Sequence, residues 1–82
     1  MRGFSDLLTP PAGASAEALR ETYLWIEAYI TKHGYPPTTH EIAAGLHLTD
    51  NGIYRRLKLM EARGWIVRSG KKRDIELLGT KN

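Results

Sequence analysis

Basic and hydrogen-bonding side chains are concentrated between residues 49 and 73. The stretch LTDNGIYRRLKLMEARGW, residues 48–65, carries four basic side chains, and SGKKR, residues 69–73, carries three in succession. Guanidinium and ammonium groups donate hydrogen bonds to phosphate and carboxylate oxygens and neutralise their charge. The chemistry that these residues offer is therefore recognition of an anionic partner.

The positive charge is segregated along the chain. The formal net charge is +3, but residues 49–82 hold nine Lys and Arg side chains against four acidic ones, while residues 15–48 hold two against four. Such segregation is typical of a protein that meets a polyanion, although a solvated basic surface has the same pattern. From charge alone, both interpretations stay open.

The elements that must position these side chains belong to one small domain of 82 residues. The chain has no Cys, so neither a disulfide nor a Cys-ligated metal is expected to stabilise it. No apolar run approaches the ~20 residues of a membrane span, and we expect a cytoplasmic protein with no membrane partner. The pair Pro10–Pro11 separates an N-terminal arm, residues 1–14, from a domain over residues 15–78 and a tail over residues 79–82.

Capping residues and apolar spacing predict a first helix from Ser15 to His33. The Ser15 hydroxyl can accept a backbone N–H of the first turn. Gly34 is free to adopt the left-handed conformation that ends a helix, and the following YPP segment prevents continuation. One face of this helix is apolar at helical spacing, and it carries Leu19, Tyr23, Ile26 and Ile30.

Two further helices follow closely. Thr38 and Glu41 form a T-x-x-E capping box, which marks the start of a short second helix. We expect Ile42, Ala43 and Leu46 to be its buried side. Thr49 is the expected N-cap of the third helix, which Gly64 ends.

Helical spacing assigns the two faces of the third helix. Ile53, Leu57 and Met60 recur at i, i+4 and i+7 and form the inward stripe. The outward face is polar and basic, and it comprises Asn51, Arg55, Lys58 and Ala62, with Tyr54 on its flank and Arg56 at its edge towards the core. Gly52 lies in the first turn, where the lack of a side chain permits close approach of a partner.

The C-terminal part has the alternation of strands. WIVRS, residues 65–69, and DIELL, residues 74–78, flank the basic turn at Gly70 and predict a β-hairpin with a positive tip. The order helix, short helix, helix, hairpin defines an α+β fold that is mainly α.

This order leads to a functional expectation. Two short helices joined by about three residues are typical of a helix-turn-helix, whose second helix enters the DNA major groove. We therefore expect a sequence-specific binder of double-stranded DNA, most simply a transcriptional regulator, acting as a homodimer on a two-fold site. Asn51, Tyr54 and Arg55 are expected to probe base edges, Asn favouring adenine and Arg favouring guanine. The expected phosphate contacts come from Thr49, Arg56 and Lys58, and the hairpin is expected to meet the backbone or minor groove through Arg68, Lys71, Lys72 and Arg73.

Two segments carry a family resemblance. YITKHGYPPTTHEIAAGL, residues 29–46, is similar to the end of the first helix, the G-x-P-P-T joint and the E-I-A helix of LexA-type repressors. RRLKLMEARGWIVR, residues 55–68, resembles the end of their DNA-reading helix and the G-x-I that leads into the wing. Over residues 21–78 the chain therefore resembles the winged helix-turn-helix family, and more narrowly the LexA DNA-binding domain. The resemblance implies a three-helix winged helix-turn-helix with a C-terminal β-hairpin wing, and a repressor function.

The chain also departs from the LexA pattern. The turn into the third helix is one residue shorter, and LTDNGIY is closer to other winged-helix regulators, so the LexA target sequence is not carried over. LexA repressors add a peptidase domain with a Ser–Lys dyad, for which 82 residues leave no room. We therefore expect no self-cleavage and no enzyme activity. A complete small protein and a fragment of a longer one both stay open, and the Met start, the arm and the polar GTKN tail favour a complete protein encoded by a phage or mobile element.

Other functions compete with DNA binding as explanations of this pattern. A protein-binding winged helix, engaging a host regulator or replication protein, would use the same basic surface and the apolar side chains of the arm, residues 1–14. RNA binding is disfavoured, because the basic surface of this chain lacks the exposed stacking aromatics that an RNA binder uses. His33, His40 and His47 fall on a helix end, a helix start and a turn, so we expect no metal site and no cofactor. The two tryptophans are expected in the core.

Overall fold

The structure is a computed structural model that describes residues 15–71 and 73–80. It contains three helices, α1 (Ala16–His33), α2 (Thr39–Leu46) and α3 (Asp50–Ala62), followed by strands β1 (Ile66–Arg68) and β2 (Ile75–Leu77). The strands form an antiparallel hairpin in which Val67 pairs with Glu76. This is the predicted winged helix-turn-helix, with the hairpin as the wing. The arm of residues 1–14, to which a protein partner was assigned, lies outside the described residues, as does Lys72.

Side-chain caps begin each helix, as predicted. The Ser15 hydroxyl accepts the N–H of Ala18 at 3.0 Å. At α2 both halves of the capping box are present, since Thr38 Oγ1 accepts the Glu41 N–H and the Glu41 carboxylate accepts the Thr38 N–H. Each cap satisfies donors that a helix leaves unpaired in its first turn, so these short helices have defined starts.

Left-handed residues end the first two helices. Gly34 has φ 83° and donates to the Ile30 carbonyl at 2.7 Å, which confirms the expected stop of α1. His47 adopts φ 59° and ends α2, and only residues 47–49 separate that helix from α3. The connection therefore has the three residues that the sequence predicted.

One core joins all the elements. The fully buried residues of α3 are the predicted stripe Ile53, Leu57 and Met60. The cluster also includes Leu19, Tyr23, Ile26, Ile42, Ala43, Trp65, Ile66 and Ile75. Trp65 is fully buried, whereas Trp25 is half-buried and packs against the edge of this cluster. Burial of α3 on one side fixes which of its faces points outward.

The wing is anchored at its base. Leu78 donates its N–H to the Trp65 carbonyl at 2.7 Å, and Gly79 donates to the Tyr23 hydroxyl at 2.9 Å. The Tyr23 ring meets Trp65 edge-on, with 6.3 Å between ring centres. Both ends of the hairpin are thus held on α1. Among the described helices, none combines the length and apolar composition needed to cross a bilayer.

Candidate nucleic-acid interface

The outward face of α3 is a polar and cationic ridge, formed by Asn51, Tyr54, Arg55 and Lys58. Asn51, Arg55 and Lys58 are exposed, and Tyr54 is 50% exposed. Arg55 and Lys58 make no ion pair within residues 15–71 and 73–80. A helix of this length, about 20 Å, fits along the major groove of DNA, which is ~12 Å wide. The ridge thus keeps its charge available for a partner.

The start of α3 is built around Thr49. Its hydroxyl accepts the Gly52 N–H at 3.0 Å, as expected for an N-cap. A Cβ atom added at Gly52 would lie 3.2 Å from the same hydroxyl. Glycine therefore leaves room for the cap, in addition to the open surface that close approach of DNA requires.

Tyr54 connects the ridge to the wing. Two cations approach its ring, with Lys58 Nζ at 5.5 Å and Arg68 Cζ at 5.3 Å from the ring centre. Both distances are within the range of cation–π attraction. Arg68 is also held by Glu61, with 3.1 Å between Nη2 and Oε1. These contacts tie the root of the wing to α3.

An open cleft of about 730 Å³ separates the wing from the helix-turn-helix. Its walls come from the start of α2, from the first turns of α3 and from the wing. The lining residues are Pro37, Thr38, Thr39, His40, Asp50, Tyr54, Arg68, Gly70, Lys71, Arg73, Asp74 and Ile75. Because Tyr54 belongs to both the ridge and the cleft, a single partner can touch α3 and the wing together.

Arg56 does not belong to this surface, and the expected phosphate contact is wrong. The residue is buried, and its Nη1 donates to Thr22 Oγ1 at 2.9 Å and to the Ala18 carbonyl at 3.2 Å. The Glu21 carboxylate lies 3.5 Å from the same nitrogen. Since α3 packs on α1 at this point, the guanidinium serves the contact between two helices.

Among the described cations of the wing, Arg68 and Arg73 form ion pairs and Lys71 forms none. The Arg73 guanidinium forms two hydrogen bonds to the Glu41 carboxylate, at 2.9 and 2.7 Å, and it holds the pKa of Glu41 at about 2. The same contact raises the pKa of Arg73. Lys71 is exposed and lines the cleft. Direct DNA contacts by Arg68 and Arg73 stay predictions. In the structure both side chains form ion pairs within the domain, Arg68 with Glu61 and Arg73 with Glu41.

The start of α2 also contributes to this surface, which was not predicted from the sequence. Thr39 and His40 line the cleft opposite the wing, and His40 Nδ1 lies 3.1 Å from Asp50 Oδ1 at the start of α3. The signal was the polar run TTHE, which was interpreted only as a cap. Its position on the cleft depends on the angle between the two helices, which spacing alone does not report.

The chain is similar in sequence to proteins of a known family. The family model of the LexA DNA-binding domain matches residues 16–73. The chain belongs to the LexA DNA-binding-domain family. It is 39% identical to the LexA repressor of Geobacter metallireducens over 61 residues, covering 72% of this chain and 30% of that protein. The LexA repressor of Thermotoga maritima is 39% identical over 62 residues, covering 74% and 32%. That of Geotalea uraniireducens is 39% identical over 57 residues, covering 67% and 28%.

The match of the LexA family model includes all three helices and the first strand of the wing. The chain spans about a third of the length of the curated relatives that it matches. The likeness therefore concerns the DNA-binding module of these repressors. The matched residues 16–73 include the whole ridge and the cleft lining except Asp74 and Ile75.

Proposed function

We propose that this chain binds double-stranded DNA sequence-specifically and acts as a transcriptional repressor. The observation that carries the proposal is the exposed ridge of α3, which borders the same open cleft as the wing. Duplex DNA presents a major groove bordered by the phosphate backbone. A helix can enter the groove while an adjacent basic hairpin contacts the backbone. Membership in the LexA DNA-binding-domain family supports the same partner.

In the proposed complex α3 lies in the major groove. Asn51 and Arg55, on the exposed face of α3, read base edges, because an amide pairs with adenine and a guanidinium with guanine in that groove. Lys58 and Lys71 neutralise phosphates on the two sides of the ridge. Tyr54, at the rim of the cleft, contacts the sugar–phosphate backbone that passes between α3 and the wing.

We further propose that two copies bind a two-fold site. One α3 helix reads only a few base pairs, so a single module gives limited discrimination among genomic sites. Two modules on half-sites separated by one helical turn, ~34 Å, double the reading length. Repression then follows from occupancy of a promoter.

Selection of bound sequences from a random duplex pool at ~150 mM salt tests the proposal. We expect enrichment of one motif with two-fold symmetry. Binding of that motif is then measured across salt concentrations. With Lys58 and Lys71 each neutralising one phosphate, log affinity should fall against log salt with a slope of about −1.8 per domain, and steeper with Lys72.

A matched pair of variants makes the test specific. The double substitution Arg55→Gln/Lys58→Gln should weaken binding and make the slope shallower by about 0.9, because Lys58 is the member of the pair that contacts a phosphate. Arg20→Gln, on the exposed surface of α1 outside the ridge and the cleft, removes a cation elsewhere and should change neither. Absence of an enriched motif, together with a slope near zero, would contradict the proposal. A loss in Arg20→Gln of about half the loss in the double variant would indicate charge attraction without a defined surface, because the control removes one cation and the double variant removes two.

A further inference from the structure

Among residues 69–71 and 73–74 of the wing turn, Arg73 forms the most side-chain hydrogen bonds. Besides its two bonds to the Glu41 carboxylate, its Nη1 donates to the Tyr29 hydroxyl and to the Pro36 carbonyl, both at 3.2 Å. Its guanidinium carbon also lies 4.8 Å from the centre of the Tyr35 ring. A planar fork of donors against a carboxylate is a strong and geometrically specific arrangement.

The partners of Arg73 belong to the first two helices and to the segment that joins them. Tyr29 belongs to α1, Pro36 to the joint, and Glu41 to the first turn of α2. The network is closed, because the Tyr29 hydroxyl also donates to Glu41 Oε1 at 3.1 Å while it accepts from Arg73. Glu41 in addition accepts the Thr38 N–H at 2.9 Å, so one carboxylate serves the helix cap and the wing. The low pKa of Glu41 is consistent with this convergence of donors.

The wing needs such an anchor. Each of its strands has three residues, and an isolated hairpin of two strands is marginally stable in water. Its base is bonded to the core through Leu78 and Gly79, whereas the residues of its turn line the cleft. Within residues 69–71 and 73–74, Arg73 provides the side-chain hydrogen bonds to α1 and α2.

We infer that Arg73 and Glu41 are positioning residues, whose pair fastens the turn of the wing to the start of α2 and so sets the width of the cleft. The inference rests on the proposed DNA binding. Lys71, two residues before Arg73, is thereby held over the cleft before DNA arrives. An anchored turn loses less conformational freedom on binding than a loose one, which favours affinity.

Two substitutions separate this role from a direct phosphate contact. Arg73→Lys keeps the positive charge but loses the planar fork of donors. A phosphate contact tolerates this change, whereas the two-bond contact with Glu41 does not. Glu41→Gln leaves Arg73 intact and can still accept the Thr38 N–H, because Gln is accepted at this position of a capping box. If Arg73 contacted DNA, its release from the carboxylate would strengthen binding. If the pair positions the wing, release weakens binding.

The experiment combines two readouts. The first is the backbone order of Gly70 and Lys71 in the free protein, measured by ¹⁵N relaxation. We expect order parameters near the ~0.85 of rigid backbone in the native chain and below ~0.6 in both variants. The second is DNA affinity, which should fall about 3- to 10-fold in each variant and no further in the double variant, because both changes break one contact. Retention of helical Cα chemical shifts along α2 verifies that its cap persists.

Lys71→Gln provides the control. It should weaken DNA binding and make the salt slope shallower by about 0.9, with the order of the turn unchanged. Native order of the turn in Arg73→Lys and Glu41→Gln would overturn the inference, as would tighter DNA binding by Glu41→Gln. Relaxation is measured without DNA. Failure of the wild-type chain to bind any duplex would therefore refute the proposed function, while the relaxation data would still test whether the Arg73–Glu41 pair orders the turn of the wing.

Discussion

Replacement of the buried Arg56 separates a structural role from DNA contact. The side chain reaches from α3 to α1, where it donates to Thr22 Oγ1 and to the Ala18 carbonyl. Thr22 itself donates to the Ala18 carbonyl at 3.0 Å, so that carbonyl keeps a partner when Arg56 is changed. Arg56→Met preserves most of the apolar stem, whereas Arg56→Ala also removes its packing.

The two substitutions should therefore differ in cost. Arg56→Met loses charge-assisted hydrogen bonds, worth roughly 1.5–3 kcal/mol, but it also removes the penalty of burying a guanidinium, and we expect a net loss of about 1 kcal/mol. Arg56→Ala adds the loss of two to three buried methylene groups, each worth about 0.8 kcal/mol, for a total of about 3 kcal/mol. In a domain of this size, that loss lowers Tm by roughly 12–24 °C.

Thermal and urea unfolding measure these free energies, and titration of the selected duplex across salt concentrations measures the slope. Arg56→Met should leave the slope unchanged, because the guanidinium does not reach a phosphate. Lys58→Met is the matched control on the ridge, with a stability change within about 0.5 kcal/mol and a slope shallower by about 0.9. A shallower slope in Arg56→Met, or a cost below about 1 kcal/mol for Arg56→Ala, would refute the assigned role.

Two further predictions concern α2. An added Cβ at Gly45 would overlap the indole ring of Trp25, so Gly45→Ala should destabilise the fold by about 1–2 kcal/mol, despite the higher helix propensity of Ala. In a Trp25→Leu background the same change should be neutral or stabilising in urea unfolding, and an equal cost in both backgrounds would exclude the overlap. The Glu41 pKa, lowered from 4.5 to about 2, predicts a pH effect. The ionised carboxylate stabilises the fold above pH 4.5 and loses this contribution as pH falls towards 2. The Tm deficit of Glu41→Gln should thus be present at pH 7 and shrink between pH 4.5 and 2, and a constant deficit in circular dichroism melts would contradict the assignment.

The elements of this fold were predictable because their signals are local. A cap depends on one side chain and on backbone donors within the next three residues, so Ser15, Thr38 and Thr49 mark the three helix starts in the sequence itself. The inward stripe of α3 follows from helical periodicity, which assigns Ile53 and Leu57 to the core without reference to any other element. The exposed ridge on the opposite face follows from the same geometry.

The partners of the arginines were decided by the tertiary structure alone. Arg56 lies in sequence beside the ridge residue Arg55, yet one is buried against α1 and the other is exposed. Arg73 stands in a run of three basic residues, yet its partner Glu41 lies 32 positions earlier. Composition and spacing report that a cation is present and which face of an element it occupies. Whether that cation stays available for DNA depends on which elements pack against it, because an ion pair forms only where folding brings the second charge within a few ångströms.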